Sequence, residues 1–155
     1  MHDPVAPVEV QLGDYVVSDD PKRLDVDAVH RALTASYWAT GIPRELIERA
    51  LRGSLCVGAY HPQDGQVGLA RFISDFATFC YVCDVYVLEP HRGRRLAAAM
   101  LRLATDHPRL QGLRRWSLVT RDAHKLYEPL GFKPVGYPSR HMERVVPNIY
   151  LRPEN

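Results

Sequence analysis

Residues Arg92 to Ala97 read R-G-R-R-L-A and stand between an apolar run, CDVYVLEP, and a helix-forming run, LAAAMLRLAT. Arginines in a first helical turn work against the helix dipole, whose amino end is already positive. The free backbone N–H groups at such an end, with a glycine that lets main chain approach a ligand, suit a phosphate. An arginine-rich turn facing only solvent is the alternative that this stretch alone leaves open. No G-K-[ST] occurs, so the turn is not a Walker loop, and one glycine stands where a dinucleotide fingerprint needs three. Further along, AHKLYEPLGFKP (Ala123 to Pro134) places Tyr127 on a short helical stretch closed by Gly131. A phenol of pKa about 10 can protonate a departing thiolate whose acid has pKa about 8.5. It can equally be a packed aromatic on an amphipathic face. Cys80 and Cys83 form C-Y-V-C, but in a strand i and i+3 face opposite ways and no second Cys/His pair completes a zinc set. They are read as core thiols, and no metal is expected. His91 and His124 are the histidines that sit beside the two motifs.

These residues need elements to hold them. The chain has 155 residues, 46% hydrophobic and 25% charged, which fits one soluble globular domain over 1–155. A net charge of +2 demands no polyanionic partner. The basic side chains are mostly arginine, lysine occurring only at 22, 125 and 133. The amino terminus lacks a basic stretch followed by an apolar run, and no run approaches the roughly 18 apolar residues of a membrane helix. Three cysteines, few and odd in number, point to a reducing compartment, and the cytoplasm is the expectation.

Residues 1–12 are read as an amino-terminal arm leading to a strand near Tyr15–Ser18. A helix follows with Val26, Val29 and Leu33 on one face and Asp25 or Asp27 as its N-cap. A second helix has Pro43 near its first turn and ends at Gly53. Then the period changes: SLCVGAY, QVGLARFIS and FATFCYVCDVYVL read as strands, the first two joined by a turn at Asp64-Gly65. The R-G-R-R-L-A helix runs to about Thr105 with Leu96, Met100 and Leu103 inward. RRWSLVT is a strand, DAHKLYEPLG a short helix, and the rest a final pair of strand-like pieces. The order β-α-α-β-β-β-α-β-α-β(-β) describes a mixed α/β domain around one sheet.

Taken together, VLEPHRGRRLA and AHKLYEPLGF, in this order and on this plan, resemble the GNAT superfamily of N-acetyltransferases. SYWATGIPRELIERALRGSLCVGAY also resembles a bacterial subgroup of unassigned substrate. The resemblance implies a mostly antiparallel central sheet flanked by helices, acetyl-coenzyme A as co-substrate, and direct attack by an amine in a ternary complex. It places the pyrophosphate at Arg92, Gly93, Arg94, Arg95, Leu96 and Ala97, and the pantetheine along a strand bulge at Val85, Tyr86 and Val87. A backbone N–H near Val87 is the implied oxyanion donor, and Tyr127 the implied general acid. The pattern departs in three places: Arg95 replaces the usual middle glycine, Pro90 sits one place late, and Thr120 stands where many members carry asparagine near the pantetheine. With Arg95 in helical dihedrals, its N–H would still face the phosphates.

The general base is left open. Tyr81 falls where some members carry a carboxylate or histidine. Water-relayed deprotonation through Asp84 or Asp75 is the favoured reading, and a bulge would switch the parity that decides which face Asp84 takes. An arylamine would need no base. Tyr37, Trp38, Phe79, Tyr81 and Asp75 are the candidate acceptor wall, suited to a small amine with an apolar part. Two other functions compete: an acetyl-coenzyme A-binding sensor without turnover, and a nucleic-acid binder using the arginines, which the modest charge disfavours. A small-molecule or peptide acceptor, no nucleic acid, no membrane and a homodimer of the family's common kind complete the expectations.

Overall fold

The structure, a computed structural model, describes residues 5–153. Six strands form one sheet in sequence order: β1 (Glu9–Leu12), β2 (Tyr15–Ser18), β3 (Leu55–His61), β4 (Gly65–Ser74), β5 (Phe79–Val87) and β6 (Arg115–Leu118). Neighbours are antiparallel except β5 and β6, which run parallel. That parallel step needs a crossover, supplied by helix α3 (Leu96–Thr105). Helices α1 (Val26–Thr34) and α2 (Arg44–Arg52) cover the other face, and α4 (His124–Tyr127) follows β6.

Two cores result. Phe72, Val82, Leu96, Met100 and Leu101 pack between the sheet and α3, whereas Val29, Leu33, Ile47, Leu51, Cys56 and Leu69 pack beneath α1 and α2. Gly68 permits this closeness, since a Cβ there would meet Met100 Cε at 3.2 Å and the Tyr86 carbonyl at 3.1 Å. Asp25, not Asp27, caps α1, its side chain accepting from Ala28 N at 3.0 Å. No helix among the described residues is long and apolar enough to cross a membrane.

Two sequence expectations change. The arm is shorter than expected, because Glu9–Leu12 pairs with Tyr15–Ser18 as the outermost hairpin. The final pair of strands does not form. From Lys133 to Ile149 the chain is exposed and pairs with nothing in the sheet. Pro134, Pro138 and Pro147 interrupt it, and proline removes a ladder donor. The segment instead runs as a strap: His141 lines the cleft holding Tyr127, Tyr150 packs on the α1–α2 core, and Leu151 lies against Gly41.

Candidate active site

β5 and β6 part company in the middle of the sheet. Their last paired residues are Val82 and Leu118, after which β6 ends and β5 continues through Cys83–Val87. Within that free length the β4–β5 register slips: Leu69 pairs with Tyr86 and Arg71 with Cys83, so β5 carries one residue more than β4. The surplus is a bulge at Asp84–Val85, with Asp84 in the left-handed region at φ 51°. The bulge switches the side-chain parity. Val85 and Val87 turn toward α3, while Tyr86 joins the α1–α2 core. Tyr81 and Cys83 therefore do not share a face with Val85 and Val87, as plain alternation would require.

Asp84 accepts one hydrogen bond on each carboxylate oxygen. One carboxylate oxygen accepts from Arg71 Nε at 2.7 Å and the other from Trp38 Nε1 at 2.9 Å. The Arg71 and Asp84 side chains keep 15% and 12% of their exposure, and Arg71 Nη1 also donates to Ser54 Oγ at 3.0 Å. Burial, the largest influence on Arg71, opposes its charge, but Asp84 together with Cys83 and Cys56 more than offsets it and the guanidinium is shifted upward. The Trp38–Asp84 bond ties the α1–α2 loop to the bulge. Proton relay was expected of Asp84; these contacts give it an anchoring role at the bulge.

The turn after β5 is equally specific. Arg92 Nε donates to the Val87 carbonyl at 2.9 Å, Gly93 has φ 76°, and Arg95 is the N-cap of α3 with φ 62° and ψ 23°. The right-handed dihedrals expected of Arg95 are thus not adopted. It takes the left-handed conformation that glycine would accept freely, at a cost of about 1–2 kcal/mol. The helix has no side-chain cap and no acidic residue in its first turn. The opening N–H groups of α3 are therefore left without a carboxylate or hydroxyl competitor, at a positive dipole end flanked by Arg92, Arg94 and Arg95. An anion of fixed geometry fits there.

One cavity borders the free length of β5 and a second lies past the end of β6. The first, of about 700 Å³, is lined by Tyr37, Trp38, Tyr86, Val87 and Arg92. The other, of about 420 Å³, lies at the end of β6 and is lined by Leu118, Thr120, His124, Tyr127 and the strap's His141. Thr120 Oγ1 accepts from Ala123 N at 3.0 Å and so shapes the turn into α4. Tyr127 is buried, edge-on to Phe132 at 5.8 Å, and burial raises its phenol above its ordinary value. Tyr37 reaches across from the α1–α2 loop, with the Arg121 guanidinium 4.1 Å from its ring centroid.

Two expected acceptor residues lie at the start of β5, away from the bulge, and a third stands between. Asp75 organises the β4–β5 turn, accepting from the N–H groups of Ala77, Thr78 and Phe79 and from the Thr78 hydroxyl. Those bonds, the Thr78 hydroxyl first, hold its carboxyl well below the usual range. Phe79 starts β5 beside that turn, and the eight steps to Val87 span about 26 Å. Tyr81 stands two residues further along, and burial pushes its phenol up.

The comparisons with known proteins agree with this geometry. Residues 52–134, from the end of α2 through the Tyr127 motif, match the family described as the Acetyltransferase (GNAT) domain. The chain belongs to the GNAT acetyltransferase family. A Gibberella zeae protein that carries an acetyltransferase name, FG08082, is 38% identical over 144 residues, covering 78% of this chain and 80% of its own. A GNAT-family crystal structure from Xanthomonas campestris pv. campestris is 47% identical, with a TM-score of 0.84 over 90% of this chain and 99% of that one. An acetyltransferase structure from Clostridium acetobutylicum, described with acetyl-CoA, shares the fold at 16% identity and TM-score 0.60, covering 84% and 94%. GNAT enzymes use acetyl-coenzyme A.

The Arg71–Asp84–Trp38 network, the Arg121–Tyr37 contact and the strap were not read from the sequence. No local spacing signals them: Trp38 and Asp84 are 46 positions apart, and their meeting depends on where the bulge falls.

Proposed function

We propose that this GNAT protein transfers the acetyl group of acetyl-coenzyme A to the amine of a small molecule or peptide, by direct attack in a ternary complex. The observation that carries the reading is the uncapped, left-handed entry to α3, standing directly after a strand that has parted from its parallel neighbour. The opening amides of α3 and the three arginines hold the pyrophosphate. The main chain of Val85, Tyr86 and Val87, bulged away from β6, receives the pantetheine and the thioester.

In the reaction the amine lone pair forms the C–N bond, the carbonyl oxygen carries the transient negative charge toward a backbone N–H near Val87, and the C–S bond then breaks. Tyr127 gives its proton to the departing thiolate. Its raised phenol value keeps that proton in place at neutral pH. With both Asp84 oxygens engaged, the amine proton leaves through water. The acceptor enters beside Tyr37 and Trp38, which are 61% and 45% exposed on an anchored loop.

Thermal unfolding with acetyl-coenzyme A and with adenosine diphosphate tests the coenzyme site. At 100 times its dissociation constant a ligand adds about 2.7 kcal/mol, or about 5–10 °C for a chain of this size. No shift at millimolar ligand ends the coenzyme reading. A shift without coenzyme-thiol release across a panel of amines ends the transfer reading and leaves a sensor.

A further inference from the structure

A chain of polar side chains, buried at Tyr15 and His91 and reaching the surface at Asp64, lies directly behind the phosphate-binding turn. His91, buried at the end of the single turn Glu89–His91, is the residue before Arg92. Its Nδ1 is 2.7 Å from the hydroxyl of Tyr15 on β2, and its Nε2 is 3.0 Å from Asp64 Oδ2 in the β3–β4 turn. His61, at the end of β3, stacks obliquely against both rings, with centroids 5.1 Å from Tyr15 and 5.1 Å from His91. Arg94, inside the turn, lies 6.0 Å from the Tyr15 ring centroid.

The partners decide the tautomer. A carboxylate oxygen at 3.0 Å repels a ring lone pair and attracts an N–H, so the hydrogen of a neutral His91 sits on Nε2. Nδ1 is then the acceptor, and Tyr15 donates to it. Each group thus has one role, and three separate elements grip the imidazole from two sides. The backbone that leaves it is under strain at Arg95, a non-glycine residue with positive φ. Left-handed residues persist where their surroundings over-determine them. On the far side the turn is held by Arg92 Nε on the Val87 carbonyl. On the near side it is held by His91.

We infer that Tyr15, His91 and Asp64 form a positioning relay that holds the Arg92–Leu96 turn in its phosphate-binding conformation. Tyr15 and Asp64 act on the turn through His91, and Asp64 also stands at the wall of the cavity beside Arg92. The inference rests on the coenzyme reading, because the turn is worth positioning only if it binds a phosphate.

The test is adenosine diphosphate and acetyl-coenzyme A affinity by calorimetry, well below each variant's melting temperature, where a folded but merely less stable protein binds as tightly as the parent. Tyr15→Phe and His91→Gln each remove the Tyr15–His91 bond and should weaken both ligands about fivefold, the worth of one buried hydrogen bond. His91→Asn, whose amide oxygen takes the place of Nδ1, keeps the buried Tyr15 bond and gives up only the link to the exposed Asp64, so it should recover part of the loss. Tyr15→Phe combined with His91→Gln should cost no more than either alone, since both cut the same link. Equal affinities across the folded variants, with normal binding by the parent, overturn the relay alone. A parent that binds neither ligand removes the phosphate site and the relay with it.

Discussion

Asp84→Asn separates the two uses a carboxylate can have at this bulge. Asparagine tolerates the left-handed backbone, so the φ of 51° costs it little. Its single carbonyl oxygen can still accept from Trp38 Nε1, but its amide then points at Arg71 Nε, donor against donor. Arg71, 15% exposed, becomes a buried cation whose remaining acceptor is Ser54 Oγ. Removing one partner of a buried ion pair costs 3–5 kcal/mol, and residual exposure with the Ser54 bond puts this case at about 3 kcal/mol. For a chain of 150–250 residues that lowers the melting temperature by about 6–12 °C. Arg71→Met combined with Asp84→Asn removes the stranded cation and should recover most of the loss. Scanning calorimetry on the two single variants and the double reads this directly. Steady-state turnover completes the assay: a folded Asp84→Asn protein at saturating coenzyme should keep its maximal rate within about tenfold, short of the 100-fold or more a lost general base costs. A melting temperature within about 1 °C of the parent, with a 100-fold fall in rate, would refute the anchoring role and restore Asp84 as the base.

Arg95→Gly should stabilise the protein by about 0.5–1 kcal/mol, because the left-handed cost of about 1–2 kcal/mol exceeds glycine's extra unfolded entropy; denaturant unfolding that shows a loss of stability would contradict it. Tyr127→Phe should lower the maximal rate roughly 100-fold while leaving acetyl-coenzyme A affinity unchanged, as expected of a proton donor that does not hold the ligand; an unchanged rate would move the proton to solvent. Burial pushes the Cys56 and Cys80 thiols up to about 12 and Cys83 up to about 11 from 9.0. The unfolded chain then loses these protons first, so their contribution to stability is intact below about pH 9 and falls as pH rises toward 11–12; a urea midpoint that does not drop between about pH 8 and pH 10.5 would show the thiols to be solvated.

Much of this protein is local and was therefore legible in its residues. Amphipathic spacing marks α1, α2 and α3, apolar runs mark β3, β4 and β5, and Pro43, Gly53 and Gly131 mark ends, because each depends on neighbours within a few positions. The same holds for the R-G-R-R-L-A turn and the short helix of Tyr127, which sit on contiguous motifs at the junctions of those elements. The paired strands expected after Gly131 depended on more than local pattern: strand-like residues do not make a strand without an edge to pair with, and the prolines there remove donors. The parity of β5 was equally beyond reach. One surplus residue at Asp84 decides which side chains face α3 and which face the α1–α2 loop, and that choice is made by the register against β4. Asp75 and Phe79 looked like acceptor contacts by type, but strand length puts them at the far end of β5. Asp84, Arg71 and Trp38, and likewise Tyr15, His91 and Asp64, come from separate elements and meet only when the sheet and its coverings close. Sequence by itself determined the elements and the motifs at their junctions, because short-range sterics and hydrogen bonding suffice for those. Tertiary structure decided which charges are spent on one another, because burial and long-range pairing exist only in the packed chain.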